Sequence, residues 1–442
     1  MHLEQLKLEN LCGLNIAIWG YGAEGRAMAA YCLKNLHNTQ CTVLCSPDEV
    51  NSTGDDFKGI DFNTQPITAT LLDGFDVVIK SPGISPYQAP ASETQTPLVS
   101  TAAIWFANHK TAPVIAITGT KGKSTVSSLL THVLKTMGYQ VILAGNIGEP
   151  LINCLAPCDY VVLETSSYQA QDGFIQADIG VLLNLFPEHL NWHGDESTYY
   201  QDKLRLIENS DLKLINAGDA RISELLDGEK QALHFFNDVA SYHEIQGVLM
   251  YRDKPLLSEH GWKLLGRHNL INAAAVLSVV EALQLDVRAA VNAMRSFKPL
   301  PHRLQTVTEL NGVRYIDDSI ASTPVATLAA LTVVPIQQTV LLLGGYDRGI
   351  DWSGFAQAMQ NEAPKMIICS GQNGAMIAEL LRTHEITADV QLCDDLQVAV
   401  QLARKNTKIG DYVLLSPGAP SYDAFENYQA RGLAFAQWIN QS

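Results

Sequence analysis

Residues 114–141 read VIAITGTKGKSTVSSLLTHVLKTMGYQV. An apolar run from Val114 leads into Gly119-Thr120-Lys121-Gly122-Lys123-Ser124-Thr125, and apolar residues then recur at helical spacing. A strand, a glycine turn and a helix in that order make a phosphate cradle. Glycines let successive backbone N–H groups converge on oxygens, and the helix start adds free donors and its dipole. The usual spacing, G-x4-G-K-[ST], would put its first glycine at Ile117, so this is a shortened form. Lys123 is placed to reach the β- and γ-phosphates, and Ser124 to ligate Mg²⁺.

The same alternation of apolar run and helical pattern extends in both directions. NIAIWG (15–20), DVVIKS (76–81), YVVLET (160–165), IGVLLNL (179–185), TVLLLGG (339–345), MIICSG (366–371) and YVLLSPG (412–418) read as continuous apolar strands. Such strands indicate parallel sheets covered on both faces, with ligands at their carboxyl ends. QAPASETQTPLVS (88–100) and FKPLPHR (297–303) read as linkers. The expected architecture is α/β in three domains: a Rossmann-like domain over 1–96, a P-loop ATPase-like parallel sheet over 97–300, and a second Rossmann-like domain over 301–442. QGVLMYRDKPLLSE (246–259) reads as a small hairpin.

Of the 442 residues, 47% are hydrophobic and 17% charged, enough apolar content for several cores. No apolar run approaches the roughly 18–20 residues that cross a bilayer, and the polar N-terminus lacks a signal core. These features predict a cytoplasmic protein without membrane insertion, read here as a monomer. A net charge of −16 disfavours nucleic acid as a partner. The eight cysteines lack zinc-site spacing and read as free thiols.

Beyond the phosphate loop, Glu164 closes a strand at its carboxyl end and supplies the hard oxygen that magnesium prefers. His189 follows another strand end. His193, four residues later, could be imagined as a zinc partner, but no Glu follows His189 and Gly194 interrupts, so His193 reads as structural. GYGAEG (20–25) is a G-x-G-x-x-G after a strand; the acid that a dinucleotide site wants is displaced by Cys45, with Asp48 late. Lys203, taken alone, reads as a surface lysine on an amphipathic helix.

Taken in order, TGTKGKST, GNIG (145–148), LETSSYQ (163–169), NLFPEHLNWHG (184–194), YQDKLRLI (200–207), GRHNLINAAA (266–275) and LPHRLQ (300–305) resemble the Mur ligases, and among them the glutamate-adding members. The resemblance implies an enzyme of peptidoglycan precursor synthesis. It implies ATP and two Mg²⁺ ions as cofactors, UDP-N-acetylmuramoyl-L-alanine and glutamate as substrates, and amide formation through an acyl phosphate. It makes Lys123, His189 and Lys203 catalytic, with Lys203 a carbamylated lysine. Ser124, Glu164, His189 and Lys203 would hold the metals. Asn146 and Ser167 would position the substrate carboxylate and its carrier. Asn272 would read the adenine, although a helix-capping asparagine is the other reading of that position. Arg303 would meet the ATP phosphates, and Asp318 the ribose.

The resemblance also assigns the ends. Gly22 and Ala23 of GYGAEG would hold the UDP diphosphate, and Gly83 of SPGIS (81–85) would face the same nucleotide. In LLLGGYDRGIDW and LLSPGAPSYDAFENYQARG, Arg348 and Ser416 would hold the carboxylates of the incoming glutamate. Tyr422 would pack over it or fill the core. DDSIASTP (317–324) departs from the family's D-S-K-A-T-N: Ile320 replaces a lysine, Ser322 a threonine, and Pro324 stiffens the loop. It resembles the branch that adds L-glutamate, with D-glutamate the alternative. A sensor that binds UDP-sugar and ATP without turnover is the reading from another class; it would need no Glu164, His189 and Lys203 together.

Overall fold

The computed structural model describes residues 2–51, 59–226, 233–264, 266–298 and 301–441; Leu300 of LPHRLQ therefore lies outside the described residues. The chain divides into two compact units, Met1–Trp262 with His268–Phe297, and Lys263–Arg267 with Lys298–Ser442.

The first unit carries two parallel sheets. One contains β1 (Asn15–Trp19), β2 (Gln40–Leu44), β3 (Asp61–Asn63), β4 (Val77–Lys80) and β5 (Leu98–Val99) in the order β3-β2-β1-β4-β5. Its last strand lies just past residue 96, inside the stretch read as a linker. The second contains β6 (Val114–Thr118), β7 (Val141–Gly145), β8 (Tyr160–Glu164), β9 (Ile179–Leu182), β10 (Leu212–Asn216) and β11 (Leu233–Phe236), ordered β11-β10-β9-β6-β8-β7. An antiparallel sheet of β12 (Tyr242–Ile245), β13 (Val248–Tyr251) and β14 (Lys254–Ser258) follows, and the 246–259 hairpin lies within it.

The two parallel sheets share one core because of TAAIWFAN, the helix Thr101–Asn108. It is apolar nearly all round, so it must be covered on every side. Trp105 is 2% exposed and donates its indole N–H to the Cys154 carbonyl at 2.9 Å. Truncating such a side chain to alanine costs about 3–5 kcal/mol.

The order of the second sheet assembles the site. β6 runs between β8 and β9, pairing Ile117 with Glu164 and Thr118 with Leu182. Three loops distant in sequence therefore leave neighbouring carboxyl ends: the phosphate loop, the turn after Glu164, and the segment leading to His189.

The second unit is built on β15 (Gln305–Leu310), β16 (Val313–Asp317), β17 (Thr339–Leu343), β18 (Met366–Cys369), β19 (Asp389–Leu392) and β20 (Tyr412–Leu415), ordered β15-β16-β20-β17-β18-β19. All neighbours are parallel except the β15–β16 hairpin. Its turn, Asn311-Gly312, has φ of 53° and 72°, the left-handed pair that tight hairpins require. The short, apolar strands β17, β18 and β20 are almost wholly buried.

Candidate active site

The phosphate loop has the backbone its glycines predict. Gly119 and Gly122 have φ of 150° and 86°. Gly122 caps the helix Lys123–Thr136 in a left-handed conformation, and a Cβ there would lie 2.9 Å from Asn272 Oδ1. That contact puts Asn272 beside the loop. Asn272 lies inside the helix Arg267–Ala282 rather than at its start, which removes the capping reading; its side-chain amide donates to Asn269 Oδ1 at 2.9 Å. Thr120 is buried and bonds the Tyr199 hydroxyl at 2.8 Å, while the Lys121 ammonium pairs with Glu188. Thr125 is buried in the first helical turn.

Glu164 is 1% exposed at the end of β8. Ser124 Oγ donates to its Oε1 at 3.2 Å and Asn146 Nδ2 donates to the same oxygen at 2.9 Å. Oε2 is buried with no hydrogen-bond partner. An orphaned carboxylate oxygen beside a serine hydroxyl at a phosphate loop suits a hard divalent cation, which would supply the missing partner.

Lys203 overturns the surface reading. It is 2% exposed, on the helix Glu196–Glu208, and its Nζ donates to the Gly119 carbonyl at 2.9 Å. Lys123 donates to the same carbonyl and to that of Thr120, both at 2.9 Å. Burial pushes the Lys203 amine well below the ordinary lysine range, and the charge of Lys123 pushes the same way, against the pull of Glu188 and Glu164. His189 is half-exposed, with φ of 57°, and opens the helix Leu190–His193. Burial lowers its pKa, with Glu188 opposing.

Of the adjacent serines in LETSSYQ, Ser167 faces inward. It is 2% exposed and its hydroxyl meets His193 Nε2 at 3.0 Å. Ser166 is partly exposed, caps the helix Ser167–Ala170 and forms a capping box with Gln169. Ser166, not Ser167, is the one that keeps solvent access after β8. The S-x-x-Q spacing in the sequence, which marks a helix cap, was the signal for choosing between them.

At the first sheet, Gly22 caps the helix Ala23–Asn35, and a Cβ on Gly22 or Gly83 would meet nothing within 4 Å. Those backbones are open to a ligand, and Ala23 supplies the first helical N–H. Glu24 turns away from the loop: its carboxylate accepts from Thr101 at 2.9 Å and from Gln169 at 2.8 Å.

In the second unit, Asp318 is buried, and burial pushes its carboxyl up to about 7. Ser416 is fully buried and donates to Asp318 Oδ2 at 2.8 Å. Arg303 has its Nε buried without a partner. Arg348 is exposed. Tyr422 is 62% exposed, which removes the core-filling reading, and its ring lies 6.3 Å from that of Tyr346. Thr323 caps the helix Pro324–Leu331 with proline at its first position, so the altered loop runs directly into a helix.

Amides, lysines and a serine gathered on a loop at the end of a parallel strand, against a carboxylate with a spare oxygen, belong to P-loop enzymes that use nucleoside triphosphates. Family models narrow that class. Residues 117–280 match the Mur ligase middle domain, and 302–418 the Mur ligase, glutamate ligase domain. The UDP-N-acetylmuramoyl-L-alanine--L-glutamate ligase of Xanthomonas axonopodis pv. citri is 41% identical, over 98% of this chain and 96% of the relative. A relative of the same name from Salinispora tropica is 32% identical, over 99% of this chain and all of its own. Among solved structures, the UDP-N-acetylmuramate-alanine ligase MurC of Thermotoga maritima shares the fold at a TM-score of 0.59 and 17% identity, covering 96% of this chain and 98% of that one. With near-complete coverage at that identity, the chain belongs to the Mur ligase family and is an ATP-dependent ligase. No helix among the described residues is long and apolar enough to cross a membrane.

Proposed function

We propose that this chain joins L-glutamate to the alanine carboxylate of UDP-N-acetylmuramoyl-L-alanine, using ATP. The observation that carries the reading is Glu164, which gathers Ser124 and Asn146 on one oxygen and keeps the other free beside the phosphate loop. The chemistry must bring a carboxylate against a triphosphate, and both are anionic, so positive charge has to be fixed in place first. The loop amides and Lys123 receive the phosphates, Lys123 exchanging two carbonyls for phosphate oxygens. Magnesium, when bound, neutralises phosphate charge; Ser124 and Glu164 would hold one ion, and His189 with a carbamylated Lys203 a second. Burial keeps the Lys203 amine available as the neutral nucleophile that CO₂ requires. Carbamylation then gives the nitrogen a carboxylate in exchange for a proton.

An oxygen of the alanine carboxylate attacks the γ-phosphorus and ADP leaves. The glutamate nitrogen, having lost a proton, attacks the acyl carbon and phosphate leaves. Gly22, Ala23 and Gly83 serve the UDP part, Asn272, Arg303 and Asp318 the ATP, and Arg348 with Tyr422 the glutamate. Ser416, whose hydroxyl donates to Asp318 Oδ2 here, would turn it to the other carboxylate of the glutamate. The L-isomer is supported by Ile320 and Ser322 in DDSIASTP and by the names of the relatives.

The test is phosphate release from ATP with UDP-N-acetylmuramoyl-L-alanine and each glutamate isomer offered separately. Release with L-glutamate alone is expected. Release with neither would remove the ligase reading, and release with the D-isomer alone would reverse the stereochemistry.

A further inference from the structure

Asp202, next to Lys203, is completely buried, and its carboxylate's partners among the described residues are donors and a ring nitrogen. His193 Nδ1 lies 2.7 Å from Oδ2; the Tyr87 hydroxyl donates to Oδ1 at 2.6 Å, and Arg205 Nη1 sits 2.9 Å from Oδ1. His193 in turn reaches Ser167 Oγ at 3.0 Å through Nε2. The Asp202 and His193 side chains are 0% exposed.

These partners come from separate elements. Asp202 is on the helix that carries Lys203. His193 ends the short helix that His189 opens. Ser167 stands three residues after Glu164, at the first position of the short helix that follows β8. Tyr87 comes from the first sheet, on the segment running on from Gly83. The same segment is pinned twice more to the His193 helix: Ser85 Oγ donates to the Trp192 carbonyl at 2.5 Å, and Trp192 Nε1 donates to the Gly83 carbonyl at 3.0 Å.

We propose that Asp202 is a positioning residue: it holds the three segments bearing Glu164, His189 and Lys203 in one frame, and through Tyr87 ties that frame to the loop bearing Gly83. Tyr87 and Arg205 both present N–H or O–H to the Asp202 carboxylate, which makes it the acceptor of the set and places the His193 proton on Nδ1. With Nδ1 given to Asp202, the other ring nitrogen, Nε2, is left to accept from Ser167. Each bond in the chain then has one direction, and a fully satisfied buried network of this kind fixes a single arrangement. The assignment of Glu164, His189 and Lys203 rests on the proposed function; the tautomer and the tether do not.

The experiment compares Asp202→Asn and Tyr87→Phe in the full chain. Three readouts are taken: the His193 tautomer by ¹⁵N NMR of histidine-labelled protein, binding of UDP-N-acetylmuramoyl-L-alanine by calorimetry, and steady-state kinetics with magnesium varied. In the unmodified chain the Nδ1–H tautomer is expected. Asp202→Asn is expected to move the proton to Nε2, as an amide does opposite a histidine. It should lower kcat about 10- to 100-fold, the cost of losing a ligand-orienting partner, with KM for the UDP substrate moving less than about threefold. Tyr87→Phe removes one hydroxyl and leaves the frame. It should weaken substrate binding about tenfold, the value of a hydrogen bond to a charged group, with kcat within about twofold.

An Nε2–H tautomer in the unmodified chain, an unchanged kcat in Asp202→Asn, or a Tyr87→Phe variant that loses kcat but not affinity would each overturn the proposal. If Asp202→Asn does not fold, the tautomer of the unmodified chain and the Tyr87→Phe split decide. If no glutamate is turned over, the ligase reading fails, while tautomer and calorimetry still report on the frame.

Discussion

Around the phosphate loop, Ser124, Asn146, Lys123 and Lys203 are each bonded to a protein oxygen, with Lys203 buried, Lys123 and Ser124 partly so and Asn146 exposed. Arg348 and Tyr422, assigned to the glutamate, stand exposed, and their side chains make no hydrogen bond to another described residue. The first group is oriented in advance, so its dipoles and charges act on a reacting phosphate without reorganising. The second group must give up rotamer freedom when it binds, which offsets part of each contact. Residues already held by a protein oxygen should therefore govern rate, and unheld ones affinity.

The largest effect that would break this comparison concerns Lys123. Lys123→Ala should lower kcat by about 10²–10³-fold, as loss of a preorganised cation does; a change confined to the KM for glutamate would contradict the division. Lys203→Met sharpens it, because activity and stability should move in opposite directions. Turnover falls by a similar factor, but in CO₂-free buffer the variant should melt higher than the unmodified chain. The sign follows from its depressed pKa in the fold: between that value and the ordinary lysine range the unfolded chain binds more protons, so the burial cost is present at neutral pH and fades as pH rises toward 10.5. The gain in melting temperature, about 2–4 °C per kcal/mol recovered, should shrink along the same axis.

Arg348→Ala tests the exposed side. KM for glutamate should rise about 10- to 100-fold, the worth of a charge-assisted pair, while kcat at saturating glutamate falls by far less. The smallest effect concerns Asp318, whose carboxyl is raised from 3.8 to about 7. Between those values the folded chain binds the extra proton, so stability drains as pH rises through 7. Asp318→Asn should melt a few °C above the unmodified chain at pH 8, by the same conversion, and the gap should close toward pH 4. A pH-independent gap would show that the carboxyl titrates normally.

How far the sequence could be read varies with the kind of feature. Strand ends followed by glycine or a hydroxyl were legible, because a fully buried strand has to be continuously apolar and its ligand end needs an open backbone. The neighbourhood of Glu164 and Gly119 was legible only as an expectation, since the strand order that pairs Ile117 with Glu164 is set by packing across the sheet. The burial of Lys203 was not legible from local pattern: Asp202 and Lys203 side by side look like a solvated helix face, and only tertiary cover puts both inside. That the first two sheets form one compact unit was not legible at the Pro- and Ser-rich stretch between them, because it follows from TAAIWFAN just beyond, which has no polar face and draws both sheets into one core.

Lys123 and Lys203 both end on one atom, the carbonyl oxygen of Gly119, at 2.9 Å each. A carbonyl oxygen has two lone pairs; the Lys123 ammonium takes one and the Lys203 amine the other, and the Lys123 charge is one of the causes that hold that amine below the ordinary lysine range. Replacing Lys123 removes that charge and eases the shift on Lys203, and replacing Lys203 leaves Lys123 alone on that oxygen. Change at the two positions is consequently epistatic: the double variant departs from the product of the singles, and a scan that alters one site at a time misstates the worth of both.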